Sequence, residues 1–94
     1  MSHILIVEDD RSQAMFAQGV LKSSGMDAQV VQVASETMAT LDRFHPDLVL
    51  MDLHMPGMSG IELTALIRSN AAYAHMPVVF LTGDTDPESH LKVL

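Results

Sequence analysis

The sequence predicts one α/β domain built on a doubly wound parallel sheet. Short apolar runs recur along the 94 residues, and segments with helical spacing of apolar residues lie between them. Capping residues stand at the starts of those helical segments. Strands that alternate with helices in this order form a parallel sheet that helices cover on both faces. We therefore expect residues 1–94 to form a single domain whose strands all end at the same edge of the sheet.

Four strands are predicted from runs that are apolar and rich in β-branched residues, as strands buried on both faces are. Gln29 and Gln32 interrupt the second run, so that strand is expected near an edge of the sheet. The third run delivers Asp52 directly into a loop that contains Pro and Gly. The predicted strands are Ile4–Val7, Ala28–Val33, Leu48–Met51 and Val78–Leu81.

Four helices are predicted, each from a capping residue followed by apolar residues at helical spacing. Gly25 suits the end of the first helix, and the residue before Pro46 avoids the helical region, which ends the second. The fourth helix is expected to start at Asp86-Pro87-Glu88 and to continue to the last residue. The other starts and apolar faces are Asp10 with Phe16, Ala17, Val20 and Leu21; Ser35 with Met38, Leu41 and Phe44; and Ser59 with Leu63, Leu66 and Ile67.

Composition excludes several classes of protein. The formal net charge of −7 argues against binding of nucleic acid or of an anionic membrane by this domain, because both need a basic surface. The chain has no Cys, which fits a reducing compartment. It shows neither a signal peptide nor an apolar run long enough to span a bilayer. We therefore expect a cytoplasmic protein.

Acidic and hydroxyl side chains follow three of the predicted strands. Glu8 and Asp9 follow the first strand, Asp52 the third, and Thr82-Gly83-Asp84 the fourth. The fold brings these segments to the carboxyl edge of the sheet, where such folds bind their ligands. Carboxylates that lie close together repel each other unless a cation lies between them, and a ligand set made only of oxygen favours Mg²⁺. The sequence therefore predicts a magnesium site at this edge.

A carboxylate beside a metal ion and a hydroxyl is also equipped for phosphoryl transfer. Asp52 is the candidate nucleophile, as in aspartyl-phosphate chemistry, and Gly83 would leave room for the phosphoryl group. Taken singly, an acid after a strand is more often a turn former or a helix cap, and we interpret Asp10 and Asp86 in that way. Acidic or hydroxyl residues that follow three strands at the same edge of one sheet favour a functional site.

At these residues the chain resembles the receiver domain of two-component response regulators, the family that includes the chemotaxis response regulator. The matching segments are ILIVEDD, PDLVLMDLHMPGMSGIEL and PVVFLTGD; the second is the most specific, and the similarity extends over the whole chain. The resemblance implies a flavodoxin-like fold with strand order 2-1-3-4-5. It also implies a signalling domain, not a small-molecule enzyme, that accepts a phosphoryl group from a phospho-His of a sensor histidine kinase or histidine phosphotransfer protein and then changes conformation.

The resemblance also implies a role for each matching residue. Asp52 would be the phosphoacceptor, and Thr82 the switch hydroxyl that contacts the phosphoryl group. Asp9 would bind Mg²⁺ directly, Glu8 mostly through water, and His54 through its backbone carbonyl. The residues that would shape the loop and the phosphoryl pocket are Met55, Pro56, Gly60 and Gly83.

The sequence departs from the family pattern after its fourth strand. A fifth strand, the Lys-Pro pair that follows it and a final helix are not recognised, and the nearest basic residues, Lys92 and Arg68, lie on predicted helices. We therefore expect a receiver domain that stops within its fourth helix, has sheet order 2-1-3-4, and has any output domain beyond Leu94. The fourth strand would then be a bare edge, which predicts association into a homodimer through Val78–Leu81.

Three other functions stay open at this level. A phosphatase of the haloacid-dehalogenase type also uses an Asp nucleophile at a strand end with Mg²⁺, but it needs a second Asp where this chain has His54. A flavodoxin-like cofactor domain needs a phosphate-binding loop after the first strand, where this chain has Glu8-Asp9-Asp10. A domain that serves only as an interaction surface would not need the intact acidic set. Turnover of an aryl phosphate would favour the phosphatase.

Overall fold

The computed structural model describes residues 1–81 and the backbone of residues 91–93. Within these residues the four predicted strands and the first three predicted helices are all present, in the expected order. The strands are β1 (His3–Val7), β2 (Asp27–Val31), β3 (Leu48–Asp52), β4 (Val78–Leu81) and β5 (Leu91–Val93); the helices are α1 (Arg11–Ser23), α2 (Thr37–Phe44) and α3 (Gly60–Ser69); and short 3₁₀ helices span Ala34–Glu36 and Ala71–Tyr73.

The strands form one sheet in the order β2-β1-β3-β4-β5, so the order predicted for the first four strands is confirmed. β1 pairs in parallel with β2 on one side and β3 on the other, and β3 pairs in parallel with β4. Val7 at the end of β1 lies opposite Met51 in β3. The residues that follow Val7 and Met51 therefore leave neighbouring strands at the same level of the sheet.

The C-terminal part of the sheet differs from the prediction. β5 pairs antiparallel with β4, with Lys92 opposite Phe80. The helix expected to run to the last residue is therefore wrong for residues 91–93, and so is the expected absence of a fifth strand. The bare edge expected for β4 is also wrong, and the predicted homodimer through Val78–Leu81 loses its basis, because β5 covers that edge. The physical reason is that the backbone groups along the free side of β4 need hydrogen-bond partners, which a strand supplies and a separate helix does not. The expected helix start at Asp86 lies outside the described residues.

Local side-chain chemistry sets the ends of the helices. Asp10 caps α1 by accepting a backbone N–H at 3.0 Å, and Ser59 and Glu62 form a reciprocal capping box at the start of α3. Both starts are as predicted. At α2 the prediction is wrong, because a 3₁₀ helix precedes it and no side chain caps it, so Ser35 is not its cap. The same helix ends at His45, which adopts a left-handed conformation (φ 52°) before Pro46.

Helices pack on both faces of the sheet and bury two apolar clusters. The α1 side is held by Ala17 and Leu21 against β1 and β2, and the opposite side by residues of α2 and α3. The larger cluster consists of Leu5, Val7, Val31, Leu41, Val49, Met51, Leu63, Ile67, Tyr73, Val78 and Phe80. None of the helices in the described part of the chain is long and apolar enough to cross a membrane.

Three residues expected on buried helix faces are exposed. Phe16 and Val20 on α1 are 75% and 50% exposed, and Leu66 on α3 is 46% exposed. Phe16 and Val20 precede Ala17 and Leu21 by one residue each, and one residue turns a side chain by about 100° around a helix of 3.6 residues per turn. Only one of these two rows can face the sheet, and the structure places Ala17 and Leu21 there.

Candidate functional site

The acidic side chains predicted at the carboxyl edge of the sheet come together. Glu8 follows β1, Asp52 ends the neighbouring strand β3, and Asp9 follows Glu8. One carboxylate oxygen from each of these residues lies within 4.8 Å of the other two. Glu8 is buried, Asp52 is partly buried and Asp9 is exposed, so the cluster leads from the interior of the domain to solvent.

The backbone around the end of β3 holds Asp52 in place. The N–H of His54 donates to Oδ1 of Asp52 at 3.2 Å, and the N–H of Gly60 donates to the carbonyl of Leu53 at 2.9 Å. A Cβ added to Gly60 would overlap the backbone O of Asp52 and lie 2.9 Å from Cγ of Met51. Only a glycine therefore lets α3 begin this close to the end of β3.

Glu8 is a carboxyl group in an environment that disfavours its charge. Its pKa is raised from 4.5 to about 8, chiefly by its burial (2% exposed), and a hydrogen bond to Asp52, the like charge of Asp52 and a hydrogen bond to Asp9 contribute the rest of the rise. The N–H of Asp10 donates to Oε2 of Glu8 at 3.1 Å, and this hydrogen bond opposes part of the rise in pKa. A carboxyl group with this pKa holds its proton at neutral pH, so folding without a cation leaves Glu8 uncharged.

The cluster fits a hard divalent cation. Two oxygens on opposite sides of Mg²⁺ or Ca²⁺ lie roughly 4–5 Å apart, which matches the 4.8 Å within which the three carboxylate oxygens lie. All three donors are oxygen atoms, which are the ligands that hard cations prefer. A cation would also favour the charged form of Glu8, which the protein alone disfavours. Glu8, Asp9 and Asp52 are therefore the residues that can hold the predicted metal.

The other predicted site residues are placed only in part. His54 is exposed, Met55 packs against the larger apolar cluster, and Pro56 is exposed in the loop between β3 and α3. Thr82 and Gly83 lie outside the described residues. Their contacts with a phosphoryl group, and a contact of the His54 carbonyl with a metal, stay predictions.

Asp10 contributes to the site in a way that its sequence position did not predict. The sequence predicts Asp10 only as the cap of α1, a role that its side chain does fill. Its backbone N–H also binds the carboxyl group of Glu8. No sequence signal could have shown this, because every residue except Pro offers the same N–H.

The fold and the site together define a flavodoxin-like α/β domain that carries an acidic, cation-binding type of site at the carboxyl edge of its sheet. Comparison with known families is more specific. The chain belongs to the response regulator receiver domain family, whose model matches residues 4–94.

The proteins similar to this chain include response regulators and a sensor kinase. The DNA-binding response regulator MtrA of Mycolicibacterium smegmatis is 39% identical over 83 residues, which are 88% of this chain and 35% of that protein. The CAI-1 autoinducer sensor kinase/phosphatase CqsS of Vibrio cholerae is 36% identical over 87 residues, 92% of this chain and 13% of that protein. The crystal structure of the N-terminal domain of a response regulator receiver protein from Methanoculleus marisnigri superposes with a TM-score of 0.85 at 29% identity, over 94% of this chain and 72% of that one.

Family membership confirms the predicted class of function. Receiver domains are signalling domains of two-component systems that accept a phosphoryl group, and they bind Mg²⁺ at an acidic pocket. The phosphatase of the haloacid-dehalogenase type is not supported by the comparisons. The chain spans well under two thirds of the length of the curated relatives given above.

Proposed function

We propose that Asp52 accepts a phosphoryl group from a phospho-His of a sensor histidine kinase or a histidine phosphotransfer protein, with Mg²⁺ held by Glu8, Asp9 and Asp52. The observation that carries the proposal is the approach of three carboxylate oxygens to within 4.8 Å where β1 and β3 end. Asp52 is the member of this set that ends a strand, is partly exposed and has its carboxylate oriented by a backbone N–H.

The proposed transfer needs no oxidant or reductant. A carboxylate oxygen of Asp52 forms a bond to phosphorus while the bond from phosphorus to the imidazole nitrogen breaks, and the imidazole leaves with that electron pair. The product is an acyl phosphate on Asp52. Bound Mg²⁺ would neutralise part of the negative charge on the phosphoryl oxygens. Glu8 and Asp9 hold the ion in this scheme, and the N–H of His54 donates to Oδ1 of Asp52 and so orients that oxygen.

The proposal extends to residues and partners that rest on the family resemblance. Thr82 would contact the phosphoryl group, the carbonyl of His54 would bind the metal, and Gly83, Met55 and Pro56 would shape the pocket. MtrA is named a DNA-binding response regulator and CqsS a sensor kinase/phosphatase, and both names fit a phospho-His donor upstream and a separate output downstream. We propose a cytoplasmic domain that turns over no small molecule.

The test is phosphorylation of the chain in the presence of Mg²⁺. The donors are a phospho-His domain and, separately, phosphoramidate, which contains the same P–N bond. Intact-mass analysis should show one added phosphoryl group that hydroxylamine removes. Asp52→Asn should abolish it, and the matched control Asp47→Asn, at the opposite edge of the sheet, should keep it. Equal labelling of Asp52→Asn and the wild type would place the acceptor elsewhere, and labelling that is indifferent to Mg²⁺ would remove the metal from the reaction.

A further inference from the structure

An apolar groove lies between α2 and α3, beside the loop that follows Asp52. It has a volume of about 330 Å³, and no residue that lines it is charged. Val33 and Leu66 on its walls are 51% and 46% exposed, so apolar surface faces water there. Met38 on α2 and Met58 in the loop also line it. Met side chains adjust to apolar groups of different shapes, so walls that contain two of them suit a binding surface.

The groove follows the direction of the two helices. Met38 and Asp42 are four positions apart on α2, and Leu63 and Leu66 are three apart on α3, so each pair lies on one side of its helix. Tyr73 follows α3, and its hydroxyl donates a hydrogen bond to the carboxylate of Asp42. This hydrogen bond ties α2 to the segment after α3 one turn beyond Met38. The groove therefore extends from the loop at the starts of the helices toward the Tyr73–Asp42 hydrogen bond.

A carboxylate stands at each end of the groove. Asp42 lies at the end described above, and Glu62 lies at the other end, at the start of α3. Oε1 of Glu62 accepts the N–H of Ser59 at 3.4 Å, and Ser59 is next to a residue that lines the groove. The basic residues Arg43 and Arg68 lie one and two positions after residues on the groove side, so they point about 100° and 200° around their helices from it. An occupant should therefore be apolar at its centre and positively charged at both ends.

We propose that the groove binds an amphipathic helix of a partner protein, with apolar residues at positions i+3 and i+4 between basic residues at i and i+7. These four positions lie on one face of a helix. Basic residues seven positions apart are about 10 Å apart along the helix axis. Ser35, which lines the groove, and Asp42 are also seven positions apart. The two cations of the partner can therefore reach the two acidic ends while its apolar pair enters the groove, a helix-in-groove contact.

The affinity of this contact comes mainly from its apolar part. Two turns of one helix face bury less area than a standard interface, so the contact is weak. The ion pairs at the two ends are exposed and contribute little energy, but they fix the position of the helix and exclude acidic partners. The contact involves no phosphoryl transfer, so it stands or falls separately from the proposed function.

The probe for the test is a synthetic peptide. It is rich in Ala and about 15 residues long, near the length at which an isolated helix begins to form. It carries Lys at i and i+7, Leu at i+3 and i+4, and a fluorophore at one end. Two control peptides separate the causes of binding: in one the Leu pair lies on the face opposite the Lys pair, and in the other Glu replaces both Lys. Fluorescence anisotropy with the 94-residue chain measures the affinity.

Two variants test the apolar walls. Leu66→Arg and Val33→Arg each place a cation in the groove, and each should weaken binding of the probe roughly tenfold or more. Both side chains are exposed, so the fold should tolerate the changes, and thermal melts check this. Ile61→Arg is the matched control, because Ile61 is on α3 and 60% exposed but does not line the groove. It should bind the probe nearly as well as the wild type does.

Two further variants test the acidic ends. Glu62→Gln and Asp42→Asn each remove one charge but keep an oxygen that can accept the existing hydrogen bond. Each should weaken binding of the probe about twofold to fivefold, and added salt should reduce this difference. Asp27→Asn is the matched control, since it removes the same charge at the amino edge of the sheet and should leave the affinity unchanged.

The results distinguish this occupant from others. Both control peptides should bind roughly tenfold more weakly than the probe. Equal binding of the probe and the peptide with the displaced Leu pair would mean that charge alone attracts the helix, and would overturn the proposal. So would full affinity in Leu66→Arg and Val33→Arg. Sedimentation velocity of the chain alone completes the test: self-association that Leu66→Arg abolishes, with no binding of the probe, would assign the groove to a second copy instead.

Discussion

Carboxyl groups stand at both edges of the sheet, and their surroundings differ. At the amino edge each acid has a donor: Asp47 accepts the backbone N–H of His3 at 2.8 Å, and Asp27 lies 3.3 Å from Nδ1 of the same residue. At the carboxyl edge Glu8 and Asp52 face each other and Asp9, and the pKa of Glu8 rises to about 8. Glu8 and Asp52 also accept backbone N–H groups, from Asp10 and His54, but the acids at this edge face one another, and their mutual repulsion weakens the fold until a cation binds. A functional site is therefore indicated by the surroundings of a carboxylate rather than by its presence alone.

The largest expected effect is on the pH dependence of stability. Glu8 has a pKa of about 8 in the folded chain and an ordinary value near 4.5 when unfolded, so between these pH values only the folded state holds the proton. The contribution of Glu8 to the free energy of unfolding should therefore be greatest below pH 4.5 and should fall as pH rises to about 8. At about 1.4 kcal/mol for each pKa unit, the loss is several kcal/mol. Urea unfolding with a chelator present, at several pH values, measures it.

Two variants sharpen this result by comparing the two edges. Glu8→Gln removes the titrating group and should flatten the decline between pH 5 and pH 8. Asp27→Asn, at the amino edge, should leave the decline as it is in the wild type. If Glu8→Gln declined as steeply as the wild type, the buried carboxyl would not be the group responsible.

The next effect concerns the close approach of α3 to β3. Gly60→Ala should lower the free energy of unfolding by about 1–3 kcal/mol, because its Cβ would overlap the backbone O of Asp52. It should also reduce labelling of Asp52, since that residue must move. Gly19→Ala is the control: a Cβ there meets nothing within 4 Å, and Ala inside a helix stabilises by about 0.5–1 kcal/mol. Equal thermal stability of the two variants would contradict the argument from close approach.

A bound cation should offset the destabilising repulsion between the carboxylates at the carboxyl edge. Mg²⁺ at ten times its dissociation constant should stabilise the wild type by about 1.4 kcal/mol, and thermal melts should show the rise. Asp9→Ala should abolish this rise and should leave the metal-free protein as stable as the wild type or more so, because it removes a like charge. Asp47→Asn should keep the full response. A rise of the same size in Asp9→Ala would show that the ion binds elsewhere.

The smallest effect is expected at the amino edge. The side chains of His3 and Asp27 are 42% and 40% exposed, and exposed ion pairs contribute little. Asp27→Asn should change the free energy of unfolding by less than about 0.5 kcal/mol and should not alter the response to Mg²⁺. A loss above about 2 kcal/mol in urea unfolding would mean that the contrast between the two edges is weaker than the structure indicates.

Sequence alone predicted the features that depend on local chemistry. The apolar run Leu48–Met51 must be buried, and the polar residue that follows it must leave the sheet at its carboxyl edge. The capping box of Ser59 and Glu62 forms between residues three apart, so a helix start could be read from their spacing. The order of the first four strands and the meeting of Glu8, Asp9 and Asp52 followed from the same pattern, together with the family resemblance.

Only the tertiary structure decided features that depend on distant neighbours. Leu91–Val93 has a helix-like local context but pairs as a strand, because the open side of β4 offers it hydrogen bonds. Gly60 meets Asp52, and Glu8 loses its solvent, only after α3 and β1 have packed against the rest of the domain. Phe16 and Ala17 are both apolar and are neighbours on α1, and the packing against the sheet decides which of them is buried. The order of residues along the chain sets the periodicity of each segment and the charge that it carries. The burial of a side chain and the close approach of two backbones depend on which surfaces meet in the folded domain.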